Sequence, residues 1–125
     1  MNVVDSSGWV EYFRQGKNAE FFTPPIQDLD NLLVPSICIY EVFKRIFQEL
    51  GEENALQAVG IMCSGREVEL GRKISIDAAK ISIDLKLAMA DSLILATARA
   101  HEATLWTQDA HFKDIDGLRY IEKKP

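Results

Sequence analysis

Residues Ala90–Asp109, ADSLILATARAHEATLWTQD, decide the fold. From Ala90 to His101 the apolar residues fall on nearly every side of the predicted helix, which is typical of a helix buried at the centre of a domain. Thr104–Thr107 then predicts a short strand, and Asp109 lies just beyond its end. A buried helix that leads directly into a strand is a building unit of α/β domains.

The rest of the chain alternates strands and helices in the same way. Further strands are predicted at Met1–Val4, Leu32–Pro35, Lys73–Ile76 and Arg119–Glu122. Helices are predicted between them, with N-caps at Ser7, Ser36 and Asp77 and a loop around Pro24 and Pro25. Strands separated by helices form βαβ units, whose strands are parallel. We therefore expect one domain over residues 1–125, a three-layer α/β/α sandwich with a central, mostly parallel sheet.

The composition is that of an ordinary globular domain. Apolar residues make up 47% and charged residues 26% of the 125 residues, and the net charge is −5. This balance argues against a nucleic-acid binder that works by bulk positive charge. There is no secretory signal pattern and no apolar stretch of about 18 residues, so we expect a cytoplasmic protein without a membrane segment. Cys38 and Cys63 lie in apolar helical patterns and are expected to be buried, reduced thiols.

Four acidic residues are predicted to meet at one edge of the sheet. They follow strands or lie near the starts of helices: Asp5, Glu41, Asp91 and Asp109. Each has an ordinary structural explanation as a turn residue or a helix-start residue. Together, however, four close carboxylates cannot all stay ionised without cations, and oxygen ligands favour Mg²⁺ or Mn²⁺ over zinc. These acids account for most of the net negative charge, so a phosphodiester substrate stays possible.

Four segments of the chain resemble the motif blocks of PIN-domain ribonucleases. They are Val4–Trp9, Pro35–Val42, Ala90–Ala98 and Leu105–Phe112. The closest subgroup is similar to the VapC-type toxins of prokaryotic toxin–antitoxin pairs. The resemblance implies a PIN-like fold and a Mg²⁺- or Mn²⁺-dependent endoribonuclease that hydrolyses RNA. It also implies a homodimer and an antitoxin protein as partner.

The resemblance assigns roles to single residues. Ser7 and Thr107 match hydroxyl residues that orient the carboxylates through hydrogen bonds. Glu41 is expected to orient or deprotonate the attacking water, or to help hold a second metal ion. The metal is expected to bind three aspartates, namely Asp5, Asp91 and Asp109.

Several residues have competing interpretations. Lys44 and Arg45 follow Glu41 by three and four positions, so they are candidates either for RNA phosphate contacts or for ordinary surface ion pairs. His101 and His111 have no metal-binding spacing. The aromatic residues of the first helical region are expected to pack in the core, with a dimer or antitoxin surface as the alternative.

Two other functions stay open on the sequence. One is an inactive PIN-like module that only binds RNA or protein. The other is a receiver-type phosphoacceptor domain, which would need an acidic pair after the first strand. Asp5 is instead followed by Ser6 and Ser7, so this second alternative is disfavoured.

Overall fold

The molecule is built on one sheet of five parallel strands, in the order β3-β2-β1-β4-β5. The computed structural model describes residues 1–125. The strands are β1 Asn2–Val4, β2 Leu32–Pro35, β3 Arg66–Val68, β4 Thr104–Thr107 and β5 Arg119–Tyr120. The helices are α1 Ser6–Phe13, α2 Ala19–Gln27, α3 Ser36–Leu50, α4 Glu52–Met62, α5 Arg72–Leu85 and α6 Met89–Ala100. The three-layer α/β/α prediction is confirmed, and every strand pairing is parallel.

The strand order creates a switch point beside β1. The chain proceeds from β1 to β2 and β3 on one side, and then returns to place β4 on the other side of β1. In open parallel sheets, sites form beyond the carboxyl ends of the strands at such a point. Receiver-type domains have the order 2-1-3-4-5. The receiver alternative is therefore wrong, because the first strand here lies between the second and fourth strands.

Helix α6 is the buried central helix that the sequence predicts. Seven consecutive residues, Ser92–Ala98, are buried. The two hydroxyls in this run are satisfied within the helix, because Ser92 Oγ donates to the Met89 carbonyl and Thr97 Oγ1 donates to the Leu93 carbonyl. Small and apolar side chains therefore let α6 pack closely against α3, α5 and the sheet.

The predicted strand at Lys73–Ile76 is wrong. The strand in this region is β3, and Lys73–Ile76 belongs to the first turns of α5. Ile74, Ala78 and Ile81 recur at helical spacing and pack in one cluster with α6, so helical packing outweighs the loose alternation of the segment. Asp77 consequently lies inside α5 rather than at its N-cap, and it pairs with Lys73.

The prediction of a loop around Pro24 and Pro25 is also wrong, since both lie inside α2. Proline removes a helical hydrogen bond, but Phe22 and Ile26 lie one turn apart and are buried. Their packing holds the helical turn in place. The predicted N-caps move by one or two residues as well: Asp5 caps α1 in place of Ser7, and Pro35 occupies the cap position of α3 in place of Ser36.

Cys38 and several aromatic residues complete the core. Both cysteines are free, but only Cys38 is buried, and the expected burial of Cys63 is wrong because it is exposed. Trp9 and Phe22 are fully buried, while the neighbouring aromatic rings pack partly buried around them. No helix is both long and apolar enough to cross a membrane.

Candidate active site

An open trench lies between α1 and α3, beyond the carboxyl ends of β1 and β4. Its volume is about 380 Å³, and charged and polar side chains dominate its walls. We call this feature the trench; its charged lining residues are Asp5, Glu11, Arg14, Glu41, Lys44, Arg45, Asp91, Asp109 and Lys123. The sequence-predicted acids and both predicted cations therefore line one cavity.

The two ends of the trench differ because α1 and α3, which form its walls, run side by side in parallel. Ser6 Oγ donates a hydrogen bond of 2.6 Å to Glu41 Oε1 near the start of both helices. Arg14 binds Glu49 near their ends, and both pairs are 35 residues apart in sequence. The helices therefore keep one register along their length, with the acids at the N-terminal end and guanidinium groups at the other.

Asp5 is fixed at the acidic end by three hydrogen bonds. It follows β1, caps α1 and is only 2% exposed. Its Oδ1 accepts from Ser7 Oγ at 2.8 Å and from the Gly8 N–H at 2.9 Å, and its Oδ2 accepts from Thr107 Oγ1 at 2.5 Å. A carboxylate offers about four acceptor positions, so Oδ2 keeps one for a further partner. Desolvation raises the pKa of Asp5 to about 7, although the hydrogen bonds oppose this shift.

Thr107 connects the acids of two neighbouring strands. It is the last residue of β4 and is completely buried. Its hydroxyl donates to Asp5 and also accepts a hydrogen bond of 2.9 Å from the Asp109 N–H. Thr107 and Ser7 therefore both contact the acidic group in the manner expected of orienting hydroxyls.

Asp91, Asp109 and His111 form the tightest group of potential ligands. Their ligand atoms all lie within 4.8 Å of one another. His111 Nδ1 lies 3.2 Å from Asp109 Oδ1 and 3.5 Å from Asp91 Oδ2. Burial, and secondly the charge of Asp109, raise the pKa of Asp91. His111 is a candidate ligand that the sequence pattern does not predict; its position two residues after Asp109 is the available signal.

The acidic end fits a divalent cation by its chemistry. Two carboxylates and an imidazole converge within reach of one ion. Asp5 lines the same trench, and its Oδ2 keeps one acceptor position. Burial is the main cause of the raised pKa values of Asp5 and Asp91, and the charge of Asp109 adds to both shifts. The carboxylate oxygens of this group suit Mg²⁺ and Mn²⁺. Asp5 and Glu41 line the same trench but lie outside the group of three ligands that are within 4.8 Å.

The opposite end of the trench is cationic. Arg14 and Arg45 contact Glu49 there, and Lys44 and Lys123 also line the trench. The sequence pattern does not single out Arg14 or Lys123 for this site. Lys44 Nζ lies 5.8 Å from the centroid of the Tyr40 ring, within range of a cation–π contact. All four basic side chains are exposed.

Comparison with known protein families supports what this geometry indicates. The family model of the PIN domain matches residues 3–118. The chain belongs to the PIN domain family. Among curated proteins, none matches the chain significantly in sequence.

Solved structures of similar fold include a toxin and toxin–antitoxin complexes. A toxin–antitoxin complex from Klebsiella pneumoniae contains a chain with 22% identity and a TM-score of 0.73, over 94% of this chain and 95% of that one. The sarcin–ricin loop cleaving toxin VapC20 of Mycobacterium tuberculosis has 12% identity and a TM-score of 0.79, over 95% and 98%. VapBC2 of Rickettsia felis, bound to a promoter DNA fragment, has 16% identity and a TM-score of 0.74, over 97% of each chain. This PIN domain shares their fold across nearly its whole length.

Proposed function

We propose that the chain is a Mg²⁺- or Mn²⁺-dependent endoribonuclease that hydrolyses RNA phosphodiester bonds, and that it is the toxin of a type II toxin–antitoxin system. The observation that carries this proposal is the convergence of acids from separate elements at the switch point of a PIN domain. The RNA-cleaving activity in the name of the similar VapC20 structure supports the reaction class.

The metal would be held by Asp91 and Asp109, with a further contact to the free acceptor position of Asp5. His111 lies close enough to add a nitrogen ligand or to hydrogen-bond a bound carboxylate. When bound, a divalent cation lowers the pKa of a water ligand and offsets charge on the phosphate. Ser7, Gly8 and Thr107 hold the Asp5 carboxylate in one orientation, so little reorganisation is needed on binding.

Glu41 is the proposed general base. Ser6 holds its Oε1, which leaves Oε2 without a hydrogen-bond partner in the protein, and Glu41 lines the trench. Glu41 would accept a proton from the attacking water as the new P–O bond forms. The P–O bond to the leaving ribose oxygen then breaks, and that oxygen takes up a proton. Lys44 and Arg45 are proposed to contact RNA phosphates, which offsets repulsion between the substrate and the acids.

We propose that an antitoxin segment occupies an apolar groove beside the trench. The groove lies between α3 and α4, has a volume of about 690 Å³ and shares Tyr40, Lys44 and Gln48 with the trench. Phe47 and Leu56 in its walls are exposed. An apolar segment seated there would reach the trench directly, and several similar structures are toxin–antitoxin complexes.

The antitoxin proposal is tested by co-expression with the protein that the neighbouring gene encodes. Leu56→Glu places a charge in the groove without touching the acids, so we expect cleavage to persist and inhibition to be lost. Full inhibition of this variant would contradict the proposal. We also propose that the chain forms a homodimer, as its resemblance to the toxin family implies. Sedimentation equilibrium of the free chain tests this proposal, and a mass of one chain at all concentrations would contradict it.

The nuclease proposal is tested by cleavage of a mixed RNA pool with Mg²⁺ or Mn²⁺ and with EDTA. We expect metal-dependent cutting by the intact chain and none by Asp91→Asn, which keeps the side-chain size but loses a charged ligand. A matched control is Asp84→Asn, an exposed acid in the last turn of α5 outside the trench. RNA binding without cleavage by the folded, metal-loaded chain would instead favour the inactive RNA-binding module.

A further inference from the structure

One carboxylate holds two guanidinium groups at the cationic end of the trench. Arg14 Nε donates to Glu49 Oε2 at 3.0 Å, and Arg14 Nη2 also donates to Oε1 of the same carboxylate. Arg45 Nε donates to Glu49 Oε1 at 2.8 Å. The carboxylate lowers the mobility of both arginines but neutralises only one of them, so this group of three keeps a net positive charge.

Both guanidinium groups keep unused donors. A guanidinium has five N–H donors in a planar fork. Arg45 uses one of them within the protein, and the Nη1 group of Arg14 has no partner. The side chains of Arg14 and Arg45 are 37% and 54% exposed, so an anion can reach them from the trench. Such forks bind phosphate in a bidentate manner.

The distance from the acidic end limits what the anion can be. The Ser6–Glu41 and Arg14–Glu49 pairs are eight residues apart along each helix. At 1.5 Å per residue, this separation is roughly 12 Å. A strand with stacked bases advances about 3.4 Å per nucleotide, so one ligand that reaches both ends must carry several phosphates.

We infer that Arg14 and Arg45, held by Glu49, form a second phosphate-binding subsite for single-stranded RNA, roughly three to four nucleotides from the phosphate that is cleaved. This inference rests on the proposed function, because it takes RNA as the ligand of the trench. The pre-formed orientation of the two guanidinium groups reduces the conformational entropy that binding must otherwise remove. The subsite therefore binds the RNA backbone without reading its sequence.

The experiment measures RNA affinity by fluorescence anisotropy in a background that does not cleave, Asp91→Asn. The probe is a labelled single-stranded RNA of about twelve nucleotides with mixed sequence. Arg14→Gln and Arg45→Gln are each expected to weaken binding about three- to tenfold at low salt. Each should also lower the slope of log affinity against log salt by about 0.7, the value for one lost phosphate contact on a single strand. Arg14→Lys keeps the charge, so it should keep the slope while losing bidentate affinity.

Two controls separate a local contact from a general charge effect. Lys73→Gln removes a cation that pairs with Asp77 on α5, outside the trench, and we expect unchanged affinity and slope. An RNA of about three nucleotides with stacked bases spans roughly 10 Å, which is less than the roughly 12 Å between the two ends, so Arg14→Gln should change its affinity much less. Thermal melting of each variant verifies that it is folded.

The outcomes distinguish this inference from the proposed nuclease activity. Arginine variants that bind the longer RNA like Lys73→Gln would overturn the subsite, even if the intact chain cleaves RNA. Reduced binding in the arginine variants would support the subsite, even if the intact chain never cleaves. Tighter binding of a poly-glutamate peptide than of RNA, lost in the same variants, would overturn it in favour of an acidic protein partner.

Discussion

The two ends of the trench use charge in opposite ways. At the acidic end Asp5 and Asp91 are crowded by burial and by Asp109, and their pKa values are raised. At the cationic end, hydrogen bonds from Arg14 and Arg45 lower the pKa of Glu49. The first arrangement therefore resists ionisation of its carboxylates, whereas the second favours it.

The two ends of the trench therefore differ in whether their carboxylates are paired with cations in the absence of a ligand. At the cationic end, Glu49 pairs with both arginines without any ligand, and the group of three keeps one positive charge. The acids at the other end are not paired with arginines in this way, and a group of carboxylates that is held together against its own repulsion is a frequent property of functional sites. A cation bound among these acids would balance their negative charge. Substitutions that alter one end of the trench alone can test whether the two ends differ in this balance.

The largest effect is expected from Asp109→Asn. Asp109 belongs to the group of three potential ligands and carries a charge that raises the pKa of Asp91. Because a bound divalent cation supplies several kcal/mol of charge stabilisation, RNA cleavage should fall about 100-fold or more. Cleavage of labelled RNA at saturating Mn²⁺ measures this loss.

The same variant separates metal binding from damage to the fold. Ligand at a hundredfold excess over Kd stabilises the folded state by about 2.7 kcal/mol, so Mn²⁺ should raise the Tm of the intact chain by roughly 10 °C. Asp109→Asn should lose most of this increase while its Tm in EDTA stays equal or rises. A lower Tm in EDTA would show that Asp109 supports the fold instead.

A smaller loss is expected from Thr107→Val, which preserves side-chain shape but removes the hydroxyl between Asp5 and Asp109. Loss of such an orienting contact typically lowers metal affinity or activity about 10- to 100-fold. The unpaired Asp109 N–H and the Asp5 carboxylate should also reduce stability by about 1–3 kcal/mol. Thr107→Ser restores the hydroxyl and should recover most of the activity; failure of this rescue would argue that packing by the methyl group is what matters.

The positions of the acids are predictable from sequence because parallel strands end at the same edge of a sheet. Asp5 and Asp109 follow two strands, and such placement is visible in any chain whose strands are short and apolar. The buried helix α6 is predictable for a similar reason, since its run of apolar and small residues allows no exposed face. These features depend on local pattern alone.

The details that depend on contacts between distant segments are not predictable in this way. His111 reaches Asp91 only through the turn after β4, and Arg14 reaches Glu49 only because α1 and α3 run in parallel register. The wrong prediction of a strand at Lys73–Ile76 also results from contacts between distant segments. The helical state of Lys73–Ile76 is decided by packing of α5 against α6, which the segment itself does not encode.

The buried Asp5 carboxyl is expected to reduce the stability of the metal-free chain at neutral pH. The pKa of Asp5 is about 7 in the folded state against an ordinary value of 3.8. Because the pKa is higher in the folded state, the protonated Asp5 carboxyl contributes fully to stability below about pH 4. This contribution is lost as the pH rises to about 7, and the loss amounts to a few kcal/mol of folding free energy. Asp5→Asn, which never ionises, should therefore have a higher Tm than the intact chain in EDTA.

The decisive measurement is how the difference in Tm between Asp5→Asn and the intact chain depends on pH. Asn can keep the contacts of Asp5 with Ser7 and Gly8, and Thr107 Oγ1 can rotate to accept from the new amide. The difference in Tm between the variant and the intact chain should therefore grow between pH 4 and pH 7 and then level off. A difference that is the same at pH 5 and pH 8 would refute ionisation of the buried Asp5 carboxyl as its cause.

The smallest effect is expected at the cationic end, from Glu49→Gln. The pKa of Glu49 is lowered from its ordinary value of 4.5 by hydrogen bonds from Arg14 and Arg45, so the ionised carboxylate stabilises the fold at neutral pH and this contribution is lost as pH falls through the lowered value. The variant should melt slightly below the intact chain at pH 7, and the gap should close in acid and also in high salt, because these side chains are exposed and screened. The sign of this pH dependence is opposite to that at Asp5. A gap that widened in acid would mean that the two ends of the trench do not differ in the balance of their charges.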